Sequence, residues 1–431
     1  MIASVDHASG FFGSTLRRLD AWLRGTPKPL AKEHLSRTIS LARIVLIVGL
    51  VFLHYQTYPN SDASPFDGLD PANHPVATFI NSFVLFFFFS AVPLLSMLSG
   101  WLFFSTMGGR DVLLAKIRHR VRTLYVPLVG WNLIFLAALA LLYLSVPDHP
   151  LFAEINLRFQ DASPWDFVNA VFALTHHPVG YQFWFVRDLF VTVLVSPLLA
   201  LLLQRLPYVG LFVLGAAWLV GHDLWIFFRT DVAFFFYLGG LIAMRRIGLR
   251  IAPGPTIVLM LLYLFLVGLR AWAPAFVDMV DQRPEWLTGA TRAMRLVGVA
   301  ACWGTFLWLA QTRPGERMAR FGGLAFFLFA MHFPMLAAIK WMLWPWVPAH
   351  TDAWMLIHYI GSVAITIALG LTAGQLMSRY LPRGFALMNG GRVLERSAAP
   401  RAPATDDAGK DRGLEMAPPA GGEAAKPMQQ V

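Results

Sequence analysis

Residues 41–55 read Leu-Ala-Arg-Ile-Val-Leu-Ile-Val-Gly-Leu-Val-Phe-Leu-His-Tyr, an apolar run interrupted only by Arg43 and His54. A helix needs about 20 such residues to cross the hydrocarbon of a bilayer, and the apolar stretch around this run, 40–58, is long enough. An ionisable side chain at the centre of such a helix costs about 2.5–3.5 kcal/mol even on lenient insertion scales, so it usually faces a partner or water. The two residues are eleven apart, close to three full turns, which places them on one face about 16 Å apart along the axis. A single helix thus marks two depths of one face. The plainer alternative is that Arg43 snorkels to headgroups and His54 packs as a neutral ring.

Outward from this run, comparable segments follow at 79–104, 124–146, 181–203, 207–221, 224–244, 254–273, 292–311, 322–343 and 353–377. The expected fold is all-α: a polytopic transmembrane helical bundle of about ten helices. Composition excludes ordinary soluble domains, since mean hydropathy is +0.56 and 57% of residues are hydrophobic against 14% charged. The 35 Phe and 15 Trp suit lipid-facing surfaces and interfacial belts better than a soluble core. The organisation expected is a basic segment 1–39, a membrane domain 40–377 and a tail 378–431. Phe12, Leu16, Leu19 and Leu23, beside Arg17, Arg18 and Arg24, have the spacing of an interfacial helix, or are simply a basic flank. From about 385 the chain turns to Ala, Pro, Gly and scattered charge, a composition expected to be disordered.

A net charge of +10 and a pI near 10.0 would point to nucleic acid in a soluble protein. Here no nucleic-acid partner is expected, and the charge reports orientation instead. Alternate loops and the two terminal segments hold twenty-six of the Lys and Arg residues, whereas the intervening loops hold only Arg158 and Arg283. By the positive-inside rule both termini are cytosolic. No cleavable signal peptide is expected, so the first helix serves as the anchor. The single Cys302 rules out an intrachain disulfide and a thiolate metal site. His176 and His177, with Asp166 nearby, lack a third ligand at a known spacing, and no metal is expected.

Arg43, ten intervening residues and His54 resemble the first-helix signature of the acyltransferase-3 family of bacterial membrane proteins, which O-acylate surface glycans. Other motifs agree in order: Leu98-Ser99-Gly100-Trp101-Leu102 at the end of the second run, a basic loop entering Arg122-Thr-Leu-Tyr-Val-Pro127, Phe183-Trp184-Phe185-Val186-Arg187-Asp188-Leu189, and Phe329-Ala-Met-His332-Phe-Pro334. The resemblance covers roughly residues 40–377. The family often has two arginines three apart in the basic loop and a Tyr three residues before the later His. This chain has Lys116, Arg118, Arg120 and Arg122 at other spacings, and Phe329 in place of the Tyr.

O-acyl transfer needs a base for a hydroxyl, stabilisation of a developing oxyanion and a place for the thioester carrier. The resemblance implies a bacterial inner-membrane enzyme with His54 as general base, assisted by Arg43 and His332. Its donor is cytosolic acyl-CoA, with acetyl-CoA expected and succinyl an alternative, and its acceptor is a glycan hydroxyl beyond the outer face. Lys116, Arg118, Arg120 and Arg122 would hold the CoA phosphates, since guanidinium groups bind phosphate bidentately, although any cytosolic loop is expected to be basic. Ser99-Gly100 permits close approach by the pantetheine arm or by another helix. Trp184, Arg187 and Asp188 recognise the acceptor or serve structure. Arg187 and Asp188, being neighbours, do not face each other on a helix and should pair with other spans. A separate periplasmic partner could complete the transfer. The competing class is a secondary transporter or flippase of a glycan or small anionic solute, which also suits buried charges and a broken span.

Overall fold

The computed structural model describes residues 30–61, 63–106, 110–277, 284–392 and 394. Among them the first apolar run folds as α1 (Lys32–Leu53) and ends at His54, just before Gln56 turns to a positive φ of 59°. Next come α2 (Pro75–Phe88) and α3 (Ala91–Ser105), then α4 (Arg110–Arg120), which passes through a π-helical turn into α5 (Val126–Ser145). After α6 (Pro164–Phe172) follow α7 (Trp184–Leu194), α8 (Ser196–Arg205), α9 (Pro207–Val220) and α10 (Asp231–Met244). The remainder is α11 (Pro253–Ala271), α12 (Glu285–Leu309), α13 (Arg313–Ala319), α14 (Ala325–Leu343), α15 (Asp352–Tyr380) and α16 (Pro382–Met388). No strand occurs among the described residues.

All ten segments expected from the sequence contain helix, yet they differ as crossings. Among the described residues six helical stretches are long and apolar enough to span a bilayer, with α2 and α3, α4 and α5, and α13 and α14 each running together as one, or seven if the pair α7 and α8, bent by 60°, is also one. The bend falls at Val195, before Pro197, whose ring cannot sit in a helix interior without losing a backbone bond. α9 and α10 have only 14 residues each because the chain between them runs through an irregular loop with Leu224 and Trp225 at positive φ. α12 is long, with Glu285, Arg292 and Arg295 in its first half. The interfacial helix expected before residue 30 and the tail from 395 lie outside the described residues.

Two glycines decide how closely α3 and α10 approach. A Cβ on Gly100 would strike the carbonyl of Phe236, and one on Gly239 would strike the carbonyl of Met97. Without side chains at these points, the two backbones pack directly on each other.

The packed body continues beyond residue 377. Phe385 and Met388 of α16 are buried, the Trp131 indole donates to the Met388 carbonyl at 2.9 Å, and the Asn389 amide donates to the Gly323 carbonyl at 2.9 Å. Gly390 and Gly391, at φ of 67° and 78°, then turn the chain so that Arg392 returns to the bundle. The packed body thus runs past residue 377, the expected end of the membrane domain, as far as Arg392.

Candidate active site

His54 is buried where α1 ends, and α14 brings His332 against it. The ring centroids are 4.9 Å apart, and His332 Nε2 lies 3.2 Å from His54 Nδ1. Carbonyl oxygens only accept, which fixes the tautomers. His54 Nδ1 must carry a proton to meet the Leu50 carbonyl at 2.7 Å, and His332 Nδ1 must carry one to meet the Phe329 carbonyl at 2.6 Å. His332 Nε2 is then a bare acceptor for the same His54 N–H. This leaves His54 Nε2, without a partner among the described residues, as a lone pair at the cavity that His54 lines.

That cavity is walled also by Gln56, Tyr181, Gln182, Trp184 and Arg229. Gln182 is placed by the break in α14. Pro334 has no N–H to give the Ala330 carbonyl, and Phe333 leaves helical geometry, so the Gln182 amide donates instead to the carbonyls of Ala330 and Phe333 at 2.7 and 2.8 Å. Its Oε1 remains buried and unpartnered. Trp184 is buried and carries the Arg229 guanidinium over its ring at 4.8 Å, so it serves as a wall and not as an interfacial belt residue.

Arg43, on the same face of α1, lines a second cavity with Ser99, Arg120 and Arg392. Among the described residues no carboxylate lines it. Burial, and then repulsion from Arg43 and Arg120, pushes the Arg392 guanidinium down to about 9. Phe185 and Phe329 line both cavities, their rings edge to face at 6.0 Å. These two rings are thus common to the walls of the histidine cavity and the arginine cavity.

Of the basic loop, only Arg120 reaches this cavity. Arg118 and Arg122 are exposed on α4 and the π turn and line none of the cavities described here. Lys116 donates to the carbonyls of Phe103 and Thr106 at 2.5 and 2.9 Å, closing the end of α3. Ser99 lines the cavity, whereas Gly100 serves helix packing.

Arg187 and Asp188 do contact each other, at 2.9 Å, contrary to the expectation from helix spacing. They lie in the first turn of α7, where the long guanidinium folds back toward the loops and reaches the carbonyls of Ala173, Leu174 and Ile226. Asp188 accepts from the backbone N–H groups of Phe228 and Arg229 at 3.1 and 2.8 Å. The pair fastens two loops to α7 and lines none of these cavities. Asp231 instead bonds Arg295 at 3.1 Å and Arg229 at 3.3 Å.

Three features escaped the sequence reading: Gln182, Arg392, and the buried Lys340–Glu154 pair at 2.7 Å, to which Trp341 adds a 2.7 Å hydrogen bond. Lys340 was detectable by the rule that singled out Arg43, as a charge within an apolar run. Among the described residues no group of three or more His, Cys, Asp or Glu is disposed to hold a metal ion.

Among the described residues the chain is thus an all-helical, apolar bundle with a histidine pair at one cavity and an arginine trio at the other, and its class is that of the membrane acyltransferases. The family model described as an acyltransferase domain matches residues 37–374, and the chain belongs to that family. It is also similar to the succinoglycan biosynthesis protein ExoH of Rhizobium meliloti (strain 1021), with 29% identity over 383 residues covering 87% of this chain and 98% of that protein. No solved structure matches it.

Proposed function

We propose that this protein transfers an acyl group, acetyl in the simplest case, from cytosolic acyl-CoA to a hydroxyl of a cell-surface or periplasmic glycan, from within the bacterial inner membrane. The observation that carries the proposal is the pair of cavities that share Phe185 and Phe329, one with a free imidazole nitrogen and the other, among the described residues, with three guanidinium groups and no carboxylate. The similarity to a protein of polysaccharide biosynthesis supports a glycan as acceptor.

In this reading Arg43, Arg120 and Arg392 bind the phosphates of the donor. The thioester arm passes Ser99 and presents its carbonyl between Phe185 and Phe329. The acceptor hydroxyl lies in the outer cavity, with Gln182 Oε1 as an acceptor for a neighbouring hydroxyl. His54 Nε2 removes the proton as the oxygen attacks the thioester carbon. The imidazolium so formed keeps its Nδ1–H on Leu50 O and His332 Nε2, and the neutral His332 ring positions and stabilises it. Collapse of the tetrahedral intermediate breaks the C–S bond, and the proton held by His54 leaves with the thiolate. The products are an ester and free CoA.

Protein in nanodiscs, given acetyl-CoA and candidate glycans, should release one CoA per ester formed. His54→Ala should slow this by about 10²–10⁴, the usual worth of a positioned base. CoA release unaffected by that change would overturn the proposal, and glycan movement with the thioester intact would favour a transporter.

A further inference from the structure

A second outer cavity adjoins the histidine site and has no part in the reaction above. It shares Phe66, Phe89, Arg229, Asp231 and Arg295 with the His54 cavity, so the two meet along one wall. Its volume of 300 Å³ reaches the lower end of small-molecule sites, roughly 300–1,000 Å³. Among the described residues the charged groups around it are Arg229, Arg292 and Arg295 against Asp223 and Asp231, a surplus of one cation. Asp223 is engaged by the backbone N–H of Trp225 at 2.8 Å, and Arg292 reaches the Leu219 carbonyl at 2.7 Å.

Two donors are left over. The Arg295 Nε–H and the Trp218 Nε1–H belong to side chains only 6% and 3% exposed, and neither has a partner among the described residues. Buried N–H groups are ordinarily paired, and these two belong to side chains that line one cavity, where an acceptor ligand would answer them. One buried acceptor, Asp231 Oδ1, is also unpaired. An apolar group answers none of these, and a neutral sugar leaves the surplus cation uncompensated. A carboxylate offers two acceptor oxygens and the missing charge, and a hydroxyl on the same ring can donate to Asp231.

We infer that this cavity binds a carboxylate-bearing sugar of the acceptor glycan, which holds the neighbouring hydroxyl at His54. The inference rests on the transferase reading for its purpose but not for its test. Binding of glucuronate, glucose and monomethyl succinate to the nanodisc-embedded protein is followed by ligand-observed NMR, with no acyl donor present. Glucuronate should bind, and glucose should not. Trp218→Phe, which keeps the ring and removes the N–H, and Arg292→Gln, on another helix, should each weaken glucuronate about tenfold, the loss of one charge-assisted hydrogen bond. Equal binding of glucose, or indifference to both substitutions, overturns the inference. Binding of monomethyl succinate without glucuronate also overturns it, by assigning the carboxylate to the transferred acyl group. Glucuronate binding without any CoA release in the transfer assay would sink the transferase reading alone and leave this site standing.

Discussion

Arg392 follows two left-handed glycines and ends beside Arg43 and Arg120, with its guanidinium over the ring of Phe326 at 5.1 Å. Three cations gathered with no carboxylate among the described residues lining their cavity repel one another, and a phosphate that enters removes that repulsion while forming charge-assisted bonds. If Arg392 reads phosphate, Arg392→Gln should raise KM for acetyl-CoA about tenfold with kcat within about twofold, and leave acetyl-pantetheine, which has no phosphate, unaffected. An equal loss for both donors would mean that the residue only supports the fold.

At the scale of elements, α3 and α10 meet through Gly100 and Gly239, and each missing Cβ faces a backbone carbonyl that cannot swing aside as a side chain can. Gly100→Ala should cost about 1–3 kcal/mol, the usual penalty of overpacking, seen as a lower unfolding midpoint in detergent. Ser99→Ala, one residue away, should leave that midpoint nearly unchanged. The loop entering α7 carries a different sensitivity. Burial, then repulsion from Arg229, Arg187 and His176, lowers the affinity of His177 for a proton, and its ring packs on Phe228 and Tyr181 at 4.4 and 5.2 Å. In the unfolded chain this group titrates near 6.5, so the folded form binds fewer protons below that pH. The stability it allows is complete above about 6.5 and is lost as pH falls toward the folded value. Between pH 7.5 and 5.5 the unfolding midpoint should therefore drop less in His177→Gln than in the wild type. Neither contact was readable from the chain alone, because each depends on which helix or loop lies opposite. What one helix carries by itself was readable: the three-turn spacing of Arg43 and His54 reaches both cavities. Arg392 and Gln182 were not, because one owes its place to a turn after the last span and the other to carbonyls released by Pro334 in a distant helix.

Across the whole molecule, the charge asymmetry of the loops and the two cavities give the same direction. Arg43 lies toward the side where Lys and Arg collect, and His54 toward the side of the acidic loops. Phe185 and Phe329 are common to both cavities, and in the proposed reaction the thioester arm, but not a nucleotide or a sugar ring, passes between them. The enzyme should consequently require its substrates on opposite faces. Reconstituted in sealed vesicles, with proteins of the opposite orientation inactivated by a membrane-impermeant reagent, it should acylate a glycan in one compartment from acetyl-CoA in the other. Placing both substrates on either single side should give almost no ester until detergent opens the vesicles. Phe329→Trp, which enlarges the partition, should slow transfer in the sealed system while leaving phosphate-dependent donor binding intact. Efficient acylation with both substrates confined to one side would mean that donor and acceptor share an entrance, and the route through the aromatic pair would have to be abandoned even if His54 remained the base.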